Sequence, residues 1–212
     1  MGTWILGHMR IVLSSVSKVF GRETVIRDLS QVLEPGSHTA ILGPNGSGKS
    51  TLLQLIGGIS IPSKGTVTHE ANGRTIEPEQ VYRHISIAAP YMSLYEELSL
   101  REAIASHQRF KPLRGSLSLE DVARIALLEK ELEKPVRDFS SGMKQRLKLA
   151  LAILSDTSLL LLDEPTSNLD ANGGAWFRQL LETNLRARTL VVASNRQAEE
   201  TFACGQSLEV GS

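Results

Sequence analysis

Little in this 212-residue sequence points to a membrane span, a disulfide or a nucleic acid. One cysteine, Cys204, excludes an internal disulfide and agrees with a reducing cytosol. Excess charge of either sign is missing. The 23 Lys and Arg balance 23 Asp and Glu, which removes any case for nucleic-acid binding driven by overall charge, and none is expected. No apolar run reaches the roughly 18 to 20 residues that span a bilayer. The most apolar region, 147–162, is broken by Ser155-Asp156-Thr157-Ser158, so the chain is not expected to cross a membrane alone. The histidines are scattered without metal-ligand spacing, and His38, His69, His84 and His107 read as surface or structural. Internal repeats and coiled-coil heptads are absent too. The start, 1–8, lacks the basic residues and long apolar core of a signal peptide. A strand pattern opens after Met9, so residues 1–8 read as a leader or a non-native start.

What is present centres on Gly43-Pro44-Asn45-Gly46-Ser47-Gly48-Lys49-Ser50-Thr51, a complete G-x-x-x-x-G-K-[ST] phosphate loop. The apolar Thr39-Ala40-Ile41-Leu42 before it suits a buried parallel strand, and 49–56 after it has helical character. Glycines at 43, 46 and 48 let backbone N–H groups approach a polyphosphate that a Cβ would obstruct. The phosphates then sit on a helix N-terminus with its partial positive charge. In such a loop Lys49 reaches the β- and γ-phosphates, Ser50 is placed for Mg²⁺, and Thr51 adds a hydroxyl near the α-phosphate.

Taken in order, 10–17 alternates as an edge strand and turns at 18–23 into a second strand around Thr24-Val25-Ile26, with Phe20 at the hairpin tip. Another strand, 31–33, ends at the Pro35-Gly36 turn. Gly57-Gly58 stops the loop helix, and Asn72-Gly73 joins strands at 66–68 and 74–76. A buried strand is expected at 85–89. The segment 99–138 reads as helical, with Val122, Ile125, Ala126 and Leu128 on one side, and makes an insertion of about 91–138. An amphipathic helix at 141–154 and the apolar strand 159–162 follow, ending in Asp163-Glu164. Ligands of an open parallel sheet bind at the carboxyl ends of its strands. There Asp163 could hold Mg²⁺ through water and Glu164 could orient the attacking water. A helix at 171–187, a strand at 189–193, a helix at 197–203 and a short strand complete an α/β chain with a mostly parallel sheet.

Together with Phe139-Ser140-Ser141-Gly142-Met143-Lys144-Gln145-Arg146 and Leu162-Asp163-Glu164-Pro165-Thr166-Ser167-Asn168-Leu169-Asp170, the phosphate loop makes the chain resemble an ATP-binding-cassette (ABC) transporter ATPase subunit. The likeness covers nearly all of 9–212 and implies one cassette domain: a P-loop NTPase core, an N-terminal antiparallel β subdomain and the helical insertion. The octapeptide keeps Ser140 and Gly142 of the family's signature, while Ser141 and Met143 replace the more usual Gly and Gln. The resemblance implies Mg²⁺-dependent ATP hydrolysis by a head-to-tail homodimer or heterodimer. Each ATP lies between one phosphate loop and the Ser140, Ser141 and Gly142 of the partner. It also implies that Phe20 stacks on adenine with Val25 beside it. A transmembrane permease in a separate chain, docked partly on 91–97, would hold the subunit at the cytoplasmic face of the cell membrane.

Two positions depart from that family. Pro90 stands where it usually carries a Gln, and supplies neither an amide side chain nor an N–H, so metal contact from position 90 is not expected. Asn195 stands where it has its switch histidine; it can hydrogen-bond a γ-phosphate but cannot titrate. Normal ATP binding with slow hydrolysis is the expectation. The signature looks more like those of exporters than of importers. The competing readings are an ATP-operated regulatory switch with little turnover and a soluble ABC ATPase without a transport role.

Overall fold

A computed structural model describes residues 9–211, so the expectation for 1–8 lies outside the described residues. The elements are β1 (Met9–Phe20), β2 (Glu23–Leu33), β3 (His38–Leu42), α1 (Lys49–Ile56), β4 (Lys64–Ala71), β5 (Arg74–Thr75), α2 (Pro78–Val81) and β6 (Ile85–Ala88). They continue with α3 (Leu100–Phe110), α4 (Leu119–Ile125), α5 (Ser141–Leu154), β7 (Leu159–Asp163), α6 (Ala171–Asn184), β8 (Thr189–Ser194), α7 (Ala198–Thr201) and β9 (Gln206–Glu209). Among the described residues two sheets form, one ordered β2-β1-β4-β5 and one ordered β6-β7-β8-β3-β9. The first is antiparallel; in the second β7–β8, β8–β3 and β3–β9 are parallel pairs. The expected α/β class therefore holds.

Two compact units make up the chain. One runs to Ser86 and takes in Thr157–Glu164 and the chain from Ala187 onward; the other is Ile87–Asp156 with Pro165–Arg186. In the first unit the parallel strands are continuous apolar runs: every residue of β7 and of β8 is buried, as expected for strands covered on both faces. Helix α1 packs on this sheet, so closely that a Cβ on Gly57 would come within 2.7 Å of Leu161 Cδ1.

The antiparallel sheet corrects two expectations. β1 is an inner strand, paired with β2 on one side and β4 on the other, rather than an edge. Its alternation of buried Met9, Ile11 and Leu13 with half-buried Arg10 and Val12 reports which face is covered, not which backbone edge is paired. The strands expected at 24–26 and 31–33 are one, β2, whose pairing with β1 shifts register between Leu13 and Val19. At these irregularities Ser15 and Asp28 take positive φ, and their N–H groups donate to Ser30 Oγ and Ser17 Oγ, both at 2.9 Å.

In the second unit capping boxes start two helices. Ser99 and Glu102 open α3, and Ser118 and Asp121 open α4. Helix α5 departs from the amphipathic pattern: 149–154 is buried on every side, with α4 and α6 packed against it. The buried Arg114 donates to Ser155 O at 3.1 Å and Asn184 O at 3.0 Å, tying the α3–α4 connection to the ends of α5 and α6.

Replacing Leu161, fully buried beneath α1, by Ala is expected to cost about 2 to 5 kcal/mol. Ile61→Ala, at a residue 81% exposed, should stay within about 0.5 kcal/mol. Urea unfolding of the two variants beside the wild type checks both.

Candidate functional site

The register of the parallel sheet sets the site. Leu42 lies opposite Ser194, and Asp163 opposite Ala193. The ends of β3, β8 and β7 therefore stop at one level, where the phosphate loop, Ser194-Asn195 and Asp163-Glu164 begin. A cleft of about 440 Å³ opens there. Asn45, Gly46 and Gly48 with Lys49, Ser50 and Thr51 form its floor, and Glu164 also borders it. Phe20, Glu23 and Val25 of the hairpin supply the opposite wall.

Within the loop, Ser47 N–H donates to Pro44 O at 3.2 Å and Gly48 caps α1 with φ +97°. That angle suits only glycine, and a Cβ there would sit 2.6 Å from Val25 Cγ1. A Cβ at Gly46, by contrast, would meet nothing within 4 Å among the described residues, although its φ of +79° still favours glycine. Lys49 is 5% exposed and donates from Nζ to Gly43 O and Pro44 O, each at 3.0 Å. The ammonium is thus held at the loop with donor capacity still unused.

Asp163 is buried with the Ser50 hydroxyl nearby, and its Oδ2 has no hydrogen-bond partner among the described residues. Burial lifts its pKa above the ordinary 3.8; the Ser50 hydroxyl pulls it down, Glu164 pushes it up and Lys49 pulls it down. Glu164 is half-buried with φ +45°, unusual for a side-chain-bearing residue, and its N–H donates to Ala193 O at 2.9 Å. The oxygens of Ser50 and Asp163 suit a hard cation completed by phosphate and water ligands. Among the described residues no three His, Cys, Asp or Glu converge as a metal cage of their own.

Phe20 is 52% exposed, with Lys18 Nζ 5.1 Å from its ring centroid and itself bonded to Ile61 O at 2.7 Å. Glu23 escaped the sequence reading. It pairs directly with Phe20 across the hairpin and shares a strand face with Val25, two positions on, which is the signal that could have found it. Gly43, Pro44 and Ser47 shape the loop without lining the cleft. Asn195, exposed on the loop after β8, does not line it either.

The remaining residues of interest belong to the second unit. Ser140 caps α5, accepting from Met143 N–H at 3.2 Å, which leaves its own proton free to donate. Ser141 is exposed, and a Cβ on Gly142 would come within 3.2 Å of Asn168 O, so α5 starts close against the 165–170 turn. Gln145 Nε2 donates to Pro165 O at 2.8 Å in the same place. Pro90 is exposed, and beyond it Tyr91, Met92 and Tyr95 show 45%, 39% and 74% of their surface. Lys144 at 2.6 Å from Glu96 and Arg137 at 2.9 Å from Glu97 fix that segment.

Residues 26–167 match the ABC transporter family. The Nod factor export ATP-binding protein I of Rhizobium johnstonii is 32% identical over 204 residues, 94% of this chain and 65% of that protein. The glucose import ATP-binding protein GlcV of Saccharolobus solfataricus is 34% identical, over 90% of this chain and 57% of its own length. The ABC transporter ATP-binding protein NatA of Bacillus subtilis is 31% identical, over 86% of this chain and 76% of its own. The chain thus spans less than two thirds of the Nod factor and glucose relatives. Among solved structures, a dimeric post-hydrolysis state of the ATP-binding cassette MJ0796 bound to ADP and Pi superimposes with TM-score 0.80 at 23% identity, covering 94% of both chains. That likeness is one of fold.

Gly48→Ala is expected to weaken triphosphate binding at least about tenfold, some 1.4 kcal/mol, in titration with a fluorescent analogue. A carboxyl whose folded pKa is raised contributes stability that is full below the ordinary 3.8 and lost as pH rises through the folded value. Asp163→Asn is therefore expected to melt above the nucleotide-free wild type at neutral pH, with the gain vanishing toward about pH 4 in a series of thermal melts.

Proposed function

Because the chain belongs to the ABC transporter family, we propose that it is an ATP-binding subunit coupling ATP binding and hydrolysis to a separate membrane permease. One observation carries the proposal: Lys49, Ser50 and Glu164 line one cleft at the ends of β3 and β7, where Asp163 lies buried next to Glu164.

In this reading 9–212 is one cassette with its insertion at about 91–138. The loop amides and Lys49 Nζ hold the β- and γ-phosphates on the α1 N-terminus. Ser50 and Asp163 hold Mg²⁺, which when bound neutralises charge developing on the phosphate oxygens. Glu164 orients the attacking water. Phe20, its position set by Lys18, stacks on adenine beside Val25. The Asn195 amide donates to the γ-phosphate but cannot take up a proton.

The cleft is lined from the first unit alone, and a second copy or a related subunit supplies Ser140, Ser141 and Gly142 from the cap of α5. ATP then closes the pair and hydrolysis releases it. The permease, a membrane-embedded partner, docks on the exposed Tyr91, Met92 and Tyr95 and holds the subunit on the inner face of the membrane. Among the described residues no helix is long and apolar enough to cross a bilayer. The form of the 139–146 signature supports an exporter; similar proteins carry names of both export and import.

A second reading, a regulatory switch with little turnover, is favoured by Pro90 and Asn195 and opposed by Glu164. Phosphate release from MgATP separates the two. Under single turnover Asn195→His is expected to accelerate release by about tenfold, and Glu164→Gln to slow it at least about a hundredfold. A rate indifferent to both changes contradicts these roles.

A further inference from the structure

Glu200 is a carboxylate that the cleft does not use, yet it is 1% exposed. Burying a carboxylate is costly unless its oxygens are hydrogen-bonded, and here Oε2 accepts from the hydroxyl of Ser194, itself fully buried. The same Ser194 Oγ accepts from Gln197 N–H at 3.1 Å. A directed chain results, running from Gln197 N–H to Ser194 Oγ–H to Glu200 Oε2, and it closes the four-residue turn 194–197. A serine hydroxyl can rotate among several acceptors. The buried carboxylate fixes that rotation and leaves the oxygen lone pairs for the Gln197 amide.

Within the turn Arg196 takes φ +60°, and its Nη2 pairs with Glu209 Oε2 at 2.7 Å, which anchors the far side. Asn195 stands between these anchors, exposed, at the end of a strand whose Ser194 lies beside Leu42 and whose Ala193 lies beside Asp163. Glu200 also lies near enough to Asp163 to raise its pKa.

We propose that Glu200 is a positioning residue for the candidate site: its buried carboxylate sets the Ser194 hydroxyl, the hydroxyl closes the 194–197 turn, and the turn presents Asn195. This rests on the ATP-hydrolysing reading above and adds to it a residue six positions beyond the strand end that touches no nucleotide.

The test uses the full chain carrying Glu200→Ala, Glu200→Gln or Ser194→Ala, each with Asn195 intact and with Asn195→Ala. Three quantities are measured: amide hydrogen exchange at Gln197 without nucleotide, affinity for a fluorescent ATP analogue, and single-turnover hydrolysis. Glu200→Ala and Ser194→Ala are expected to speed exchange at Gln197 and to slow hydrolysis about tenfold, with affinity changed less than about twofold. Gln at position 200 can still accept the hydroxyl and should restore both exchange and rate. With Asn195→Ala in place, neither change should slow hydrolysis further. The proposal is overturned if exchange at Gln197 is unaltered, if Gln rescues nothing, or if the loss of rate recurs in full without Asn195. Should Glu200→Ala fail to fold, Ser194→Ala, which removes a single oxygen, decides the same points. A wild type that hydrolyses nothing sinks the ATPase reading, while the exchange arm still decides the role of Glu200 in the turn.

Discussion

The parallel pairing of β8 with β3 on one side and β7 on the other is the constraint on which the site depends. It aligns three strand ends carrying different chemistry: a loop of bare amides and a lysine, a turn with an amide side chain, and two carboxylates. A slip of two residues in either pairing would move Asp163 or the phosphate loop by about 7 Å, farther than any hydrogen bond can follow. The unbroken apolar runs of β7 and β8 hold that register, because both strands are buried throughout their length.

Fixing charges at this place costs the empty protein stability. Lys49 is buried against two carbonyl oxygens, Asp163 is buried with one oxygen unpartnered, and Glu164 sits at positive φ. Features of this kind persist where the surrounding structure holds them and a ligand later uses them. In the proposed reading a polyphosphate with a hard cation would supply what each lacks: an anion for the ammonium and amides, and a positive centre for the carboxylate oxygen that has no partner among the described residues. The hairpin wall belongs to the same economy of form, since Val25 packs against Gly48 while Phe20, one turn away, offers an aromatic face to the cleft.

Much of this was legible in the sequence because it is local. Glycine spacing, a lysine and two hydroxyls define the phosphate loop within nine residues, and four leucines before Asp163-Glu164 define a buried strand with its acids at the carboxyl end. Pairing is not local, and there the reading failed. β1 reads as an edge because its alternation describes its faces, whereas its second partner, β4, lies some fifty residues further on. Two short strands prove to be one, since bulges at Ser15 and Asp28 interrupt the alternation without ending the ladder. Helix α5 carries enough polar residues early on to look amphipathic, yet its second half is enclosed. Glu23 and Glu200 gave no motif at all. Their places follow from a cross-strand pair and from a buried hydrogen bond, which only the folded chain displays.

The central claim is that this cleft is half of a nucleotide site and that a second copy of α5 and its Ser140 cap completes it around the triphosphate. Sedimentation velocity of Glu164→Gln protein with MgATP tests this most directly, because stalled hydrolysis should trap the closed pair. The account predicts a shift from the 23.2 kDa monomer to a dimer that disappears when Lys49→Ala is added. Protein that stays monomeric at saturating MgATP, or that pairs equally well without Lys49, would contradict it.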